Sequence, residues 1–201
     1  MRLIIGYTGH SWELLGMWAW IPAFLAASFA ASGAGLVRAA KLGAYSSASF
    51  HVMGVIASSS MGWLSDKIGA RRILITLASV SAACSFFFGW LIGFPAFLVL
   101  GVGALYAFTA IGDSPILSST LTQVVSPPSL GAALGFRSLL GFGAGASAPL
   151  AFGMVLDYVN ALAGTRIAWG WAFVVLGLGG LIAIWAAVFA RTEVPTNTRA
   201  V

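Results

Sequence analysis

The stretch GWLSDKIGARR, residues 62–72, gathers four charged side chains between two long apolar runs. The charged residues are Asp66, Lys67, Arg71 and Arg72, and the glycines among them are Gly62 and Gly69. The whole chain is 60% hydrophobic and 7% charged, whereas a soluble globular domain carries about 25% charged residues. So apolar a chain cannot present a wetted surface, and the sequence predicts a membrane protein in which residues 62–72 form a loop outside the lipid.

Six apolar runs flank this loop, and each is long enough to cross a bilayer, which takes about 20 helical residues. They lie at about 3–31, 44–64, 72–93, 95–121, 131–155 and 167–190. Glycine and proline punctuate the connectors, as expected where helices end. Strands of a membrane barrel would be only ~10 residues long and would alternate in polarity. The sequence therefore predicts an all-α polytopic membrane protein, with residues 1–201 forming one bundle of six transmembrane helices.

The basic residues predict how this bundle is oriented. An even number of spans puts both termini on one side, together with seven basic residues: Arg2, Lys67, Arg71, Arg72, Arg137, Arg191 and Arg199. The opposite side holds three: Arg38, Lys41 and Arg166. Because an excess of Lys and Arg marks the cytoplasmic side, we expect an inner or plasma membrane protein with both termini in the cytoplasm. The 62–72 turn is then a cytoplasmic loop.

Several function classes are disfavoured by composition. The net charge of +5 comes from basic residues scattered between apolar runs rather than gathered on one face, which argues against a nucleic-acid partner. The single cysteine, Cys84, excludes a disulfide within the chain and a multi-cysteine metal site. We find no Ser/His/Asp set, metal-ligand cluster or phosphate-binding loop. We therefore expect no enzyme activity, no cofactor and no metal.

The first span contains two ionisable residues, His10 and Glu13. They share a helical face because they lie three residues apart, and an ionisable residue inside a span is a functional candidate because it is costly to bury. If the span begins at Leu3, Glu13 lies about 15 Å deep, near the middle of the bilayer. If it begins at Ser11, Glu13 is interfacial and wetted. The sequence leaves both positions open.

The fourth and fifth spans contain Asp113 and Arg137. Pro115 follows Asp113 and interrupts helical hydrogen bonding, and a broken helix beside an acid is typical of a transporter binding site. A structural kink with a satisfied carboxylate is the alternative. The hairpin between these spans is short, so we expect Asp113 and Arg137 to pair. His10, Glu13, Asp113 and Arg137 are thus the candidate substrate or proton site.

The loop resembles a signature of a known transporter family. The pattern G-x-x-x-D-K-x-G-x-R-R is similar to the loop between the second and third helices of each six-helix half in the major facilitator superfamily of secondary transporters. It lies here between the second and third predicted spans. Its two glycines permit close approach and an abrupt reversal of the chain. The resemblance implies that Gly62, Asp66, Lys67, Gly69, Arg71 and Arg72 form a cytoplasmic gating loop, with Asp66 holding the outward-facing state.

A second motif lies in the fifth span. GAGASAPLAFG, residues 143–153, resembles the family's G-x-x-x-G-P-x-x-G-G helix, although Ala148 precedes the proline and one glycine rather than two follows. Its small or kinking residues stand at four-residue steps: Gly141, Gly145, Pro149 and Gly153. Such spacing lets helices approach closely. The opening GHSWELLGMWAWIPAFLAAS, residues 9–28, is similar to the family's seventh helix, so the chain matches the C-terminal half, helices seven to twelve.

The resemblance implies a function. A member of the family would move a small solute by alternating access, as a symporter or antiporter that protonation of Glu13 or Asp113 could couple to protons. Helices one and four of each half would line the cavity, two and five would gate it, and three and six would face lipid. The expected partners are the lipid bilayer, the solute, and either a missing N-terminal half or a second copy. The alternative is a non-transporting membrane assembly or interaction subunit derived from such a half.

Overall fold

The computed structural model describes residues 1–163 and 168–190, and nearly all of these residues are helical. The helices are α1 Arg2–Ala31, α2 Leu36–Ile68, α3 Ala70–Phe88, α4 Ala96–Gly112, α5 Ser114–Val124, α6 Pro127–Ala163 and α7 Gly170–Phe189. A 3-10 turn, Gly89–Leu91, extends α3. No strand occurs in the two described ranges, which confirms the prediction of an all-α chain. Arg166, Arg191 and Arg199, which entered the charge bias, lie outside the described residues.

Five helical segments are long and apolar enough to cross a membrane. They are Arg2–Ala31, Ala70–Leu91, Ala96–Val124, Pro127–Leu162 and Gly170–Phe189. The predicted span at 44–64 is helical too, as part of the 33-residue α2, but α2 is less apolar than the others. It contains Arg38 and Lys41 near its start and several serines along its length. Among the described residues, five of the six predicted spans are therefore helices long and apolar enough to cross a membrane.

Two helices, α2 and α6, extend well beyond the apolar runs that predicted them. α2 begins at Leu36 rather than residue 44, and α6 covers Pro127–Ala163 rather than 131–155. Proline is tolerated in the first helical turn, where its missing N–H has no intrahelical acceptor, so Pro127 starts α6 instead of preceding it. An apolar run marks only the part of a helix that is suited to lipid. In α2 and α6 the helix continues beyond that run into more polar residues.

The bundle is built around α1. This helix packs against α2, α6 and α7, while α3 packs between α4 and α7, and α2 covers α4. The core lies where α1, α3 and α7 meet. There Phe24, Phe88 and Phe173 are fully buried, with ring centroids 4.6, 5.2 and 5.3 Å apart. Such tilted and edge-to-face aromatic contacts stabilise a core beyond the area they bury.

The predicted signature loop is a single-residue turn. α2 ends at Ile68, α3 begins at Ala70, and Gly69 between them has φ of +97°, a left-handed conformation that favours glycine. Gly62 has a different role from the one predicted, because it lies inside α2 with open space around its Cα. Only Gly69 makes the reversal. Asp66 and Lys67 are exposed at the end of α2, and the Lys67 ammonium lies 3.7 Å from the centroid of the Trp63 ring.

Two arginines bind the end of α7. Arg2 donates a hydrogen bond of 2.6 Å to the carbonyl of Phe189, and Arg71 donates one to the carbonyl of Val188. The last carbonyls of a helix have no intrahelical donor, and cations are favoured there by the helix dipole. The start of α1, the start of α3 and the end of α7 therefore lie at the same end of the bundle.

The third and sixth predicted spans are exposed on one side only. Phe87 and Trp185 point outward, as expected of lipid-facing positions, but Phe88 and Ala186 on the same two helices are buried. Half of the most apolar window of α7, 50%, is buried, against 28% for α6 and 33% for α1. Of the five apolar segments, Pro127–Leu162 of α6 is thus the one that its own bundle covers least.

Candidate functional site

The helix break predicted at Pro115 lies two residues earlier, at Asp113. Asp113 ends α4 and begins α5, and its carbonyl accepts the first bond of α5, 2.8 Å from the Leu117 nitrogen. Pro115 stands in the first turn of α5, where it lacks the N–H that a continuous helix would use. The Asp113 carboxylate is 4% exposed. An acid is therefore held in the bundle interior at a joint between two helical segments.

His10 of α1 is the partner of this acid. Its Nδ1 lies 2.9 Å from Oδ1 of Asp113, although the oxygen is out of line for a hydrogen bond. Its Nε2 lies 2.7 Å from the hydroxyl of Ser114. Both ring nitrogens thus face oxygen atoms of the α4–α5 joint, and His10 is itself 3% exposed. A proton gained or lost here changes the charge of a buried pair.

A chain of contacts runs from this pair to Arg137. The Ser118 hydroxyl donates to the carbonyl of Ser114 at 2.8 Å and accepts from Nη2 of Arg137 at 2.9 Å. The two serines lie four residues apart and so stand on one face of α5. The guanidinium stacks over the Tyr7 ring, 3.6 Å from its centroid. We call His10, Asp113, Ser114, Ser118, Arg137 and Tyr7 the polar network.

The predicted ion pair between Asp113 and Arg137 is not formed. In the described part of the chain the ion pair is His10–Asp113. α4 packs on α2 and α3, whereas α6 packs on α1 and α7, so α1 supplies the partners of both residues. A short hairpin between two spans gives no information about which faces of those spans meet. Arg137 reaches the acid only through Ser118, Ser114 and His10.

Three members of the polar network were missed by the sequence analysis: Tyr7, Ser114 and Ser118. Ser118 and Ser114 carry a sequence signal, since hydroxyls at i and i+4 follow the acid on one helical face. Tyr7 lies one turn before His10 on α1, and its ring faces Gly141 of α6. Nothing in either pattern shows that α5 and α6 meet at α1.

Glu13 lies one helical turn beyond His10 on α1 and belongs to a separate group of contacts. It is 4% exposed and accepts a 2.9 Å hydrogen bond from Ser81 of α3. α1 begins at Arg2, so the buried position of Glu13 is the correct one of the two that the sequence left open. A Cβ on Gly180 of α7 would come within 2.8 Å of the Glu13 carboxylate. The buried hydroxyl of Tyr106 has no hydrogen-bond partner.

The space beside Asp113 is small. A cavity of about 10 Å³ touches it and is otherwise apolar; its lining includes Leu3, Leu74 and Leu117. A single water needs roughly 10–15 Å³, so the interior side of Asp113 has room for a water or a proton and none for a larger solute. In the described residues no three His, Cys, Asp or Glu side chains are grouped to hold a metal.

The predicted helix-packing residues of α6 lie along its contact with α1. Gly141 and Gly145 of α6 face Tyr7, Ser11 and Leu15 of α1 so closely that a side chain at either would collide with them. Further along α6, the Trp20 indole donates to the carbonyl of Pro149 at 3.0 Å, and the Trp20 ring also faces Gly153. At the α1–α2 surface His51 stacks on Trp18, with centroids 4.1 Å apart.

The polar network joins a buried His–Asp pair, a helix joint and a guanidinium in one set of contacts. No protein-family model matches the chain, and no curated protein or solved structure matches it significantly. The resemblance to the major facilitator superfamily therefore stays a prediction from the motifs of the sequence.

Proposed function

We propose that the chain is one half of a secondary transporter of the major facilitator type, which moves a small solute across a membrane by alternating access and is coupled to protons. The observation that carries the proposal is the buried His10–Asp113 pair at the α4–α5 joint. Ionisable residues inside a membrane bundle are costly and mark ion or substrate pathways, and interrupted helices form the binding sites of secondary transporters.

The geometry favours a proton as the coupling ion. The interior side of Asp113 has room for about one water, and histidine is the side chain that exchanges a proton most readily near neutral pH. Protonated His10 and ionised Asp113 form a pair without net charge. A further proton would leave a net positive charge in low dielectric, which is costly. Protonation thus changes the free energy of keeping the His10–Asp113 pair buried. This pair lies at the α4–α5 joint, where the fourth predicted span can bend.

Alternating access requires a second wall around the solute. Of the five apolar segments, the one that its own bundle covers least is Pro127–Leu162 of α6, and the polar network lies where α6 meets α1 and α5. Large apolar side chains such as Leu139, Leu150 and Met154 of α6 are about 70% exposed. We propose that a second six-helix bundle, an N-terminal half or a second copy of this chain, covers this side and completes the cavity.

The test is uptake into proteoliposomes. The chain is reconstituted alone and with a candidate second half, its mass is measured in detergent, and uptake of small organic anions and sugars is followed under a proton gradient. We expect uptake only from an assembly with two bundles. Asp113→Asn should abolish proton-driven uptake, and Asp157→Asn, which changes an exposed acid on α6, should not.

Two results would contradict the proposal. Robust uptake by a demonstrated monomer would show that no second wall is required. Equal uptake by the Asp113→Asn and Asp157→Asn proteins would show that the buried acid is not part of the coupling site. A two-bundle assembly that moves no solute would favour the non-transporting interaction subunit.

A further inference from the structure

Among the described residues Arg137 has no acidic partner within ion-pair distance. It lies about 15 Å along α6 from Pro127, at 1.5 Å per residue, and its side chain is half-buried. Among residues 1–163 and 168–190 the ion pair is His10–Asp113, so the nearest acid of the network is already engaged. A guanidinium in a membrane bundle is costly unless an anion neutralises it.

The guanidinium is held in place and only partly satisfied. Tyr7 covers one face at 3.6 Å, and Ser118 accepts from Nη2. The buried Nε has no hydrogen-bond partner. Arginine presents its N–H groups in a planar fork that matches a carboxylate through two parallel bonds. The Tyr7 ring and Ser118 fix the plane of this fork. Within the part of the chain that the structure describes, Nη1 has no hydrogen-bond partner, and it is not enclosed as Nε is, so the Nη1 side of the fork is left for a ligand.

We propose that Arg137 binds the carboxylate of the transported solute, so that the substrate class is a small organic anion. This inference rests on the proposed function and names the ligand of the same site. A neutral solute would leave the guanidinium without a counter-ion. A cationic one would be repelled by it.

The polar network also links the anion to the proton. His10 is connected to Arg137 through Ser114 and Ser118 by contacts of 2.7, 2.8 and 2.9 Å. A carboxylate bound at Arg137 neutralises the guanidinium, so a proton bound at His10–Asp113 is then the one excess positive charge of the network rather than a second one. Each ligand therefore favours the other, because their opposite charges attract in a low-dielectric site. The expected mode is symport of one proton with each carboxylate.

An anionic lipid headgroup offers the same chemistry, and the experiment separates the two sources. The thermal unfolding midpoint of the purified full chain is measured in neutral detergent with lactate or benzoate, and with the uncharged analogues lactamide or benzamide. A parallel series replaces these solutes with phosphatidylglycerol. We expect the carboxylates to raise the midpoint and the amides to leave it unchanged.

Variants assign the effect to Arg137. Arg137→Gln should weaken carboxylate binding on the order of tenfold to hundredfold, the range for losing hydrogen bonds to a charged group. Arg137→Lys keeps the charge but lacks the fork, and should bind more weakly than wild type. Arg38→Gln is the matched control, because Arg38 is exposed near the start of α2, and it should bind as wild type does. The comparison of carboxylates with amides uses the wild-type chain alone, so its result does not depend on whether any variant folds.

Three results would overturn the inference. They are equal midpoint shifts with acid and amide, no shift with any carboxylate, and unchanged binding by Arg137→Gln. Stabilisation by phosphatidylglycerol that excludes benzoate would assign Arg137 to a lipid headgroup and would overturn it as well. Proton-driven uptake of a neutral sugar would refute the anion class and leave the proposed function intact. Carboxylate binding through Arg137 without proton-driven uptake would refute the proposed function and leave the anion site intact.

Discussion

Replacing His10 with leucine leaves the Asp113 carboxylate buried without its partner. The two side chains are 3% and 6% exposed, so water replaces little of the lost interaction. Breaking a buried ion pair by removing one partner costs about 3–5 kcal/mol. We expect His10→Leu to lower the free energy of unfolding by an amount in this range. Asp113→Asn should cost less, since it leaves a neutral amide beside a histidine that can itself be neutral.

The assay is unfolding of the purified chain in mixed micelles by a denaturing detergent, followed by intrinsic tryptophan fluorescence. His51→Leu is the control, because His51 is exposed and loses only its stacking on Trp18, worth about 1 kcal/mol. The double variant His10→Leu with Asp113→Asn should cost less than the sum of the two single changes. Additive costs in this cycle, or a His10→Leu cost no larger than that of His51→Leu, would refute the pairing.

Two further predictions concern the ends of the bundle and its signature turn. In a Cys84→Ala background, a cysteine at Asp66 should react with a membrane-impermeant reagent only from the cytoplasmic side, and one at Lys41 only from the other side; the opposite pattern would overturn the orientation. Gly69→Ala should lower the free energy of unfolding by about 1–2 kcal/mol because of its positive φ, whereas Gly62→Ala, inside α2 with open space around it, should not destabilise the chain.

Hydrophobicity and charge predicted the elements because each acts locally. Apolar runs marked the helices, but their ends were misjudged in both directions: α2 begins at Leu36 rather than residue 44, and α7 begins at Gly170 rather than residue 167. The turn at Gly69 was predictable because a one-residue reversal requires the left-handed conformation. The neighbouring Gly62 carried the same sequence signal and serves no turn, so the glycine spacing alone could not separate the two.

The partners inside the bundle could not be predicted in the same way. Asp113 and Arg137 were singled out correctly as ionisable residues within predicted spans, but their pairing assumed that spans joined by a short hairpin face each other there. Instead, α1 supplies a partner to each residue: His10 to Asp113 and Tyr7 to Arg137. His10 and Glu13, three residues apart, end in different groups because α1 packs against helices on several sides. Neighbours across a bundle are set by which faces meet, and one sequence does not encode this locally.

Proton movement driven by a solute gradient tests the central claim most directly. Proteoliposomes that contain the two-bundle assembly and a pH-sensitive dye receive lactate or gluconate on the outside, with no pH gradient and with empty liposomes as the reference. We expect acidification of the lumen beyond that of empty liposomes with the wild-type and Asp157→Asn proteins, and none with Asp113→Asn. Solute uptake without acidification, or equal acidification by the Asp113→Asn and Asp157→Asn proteins, would contradict proton-coupled transport through Asp113.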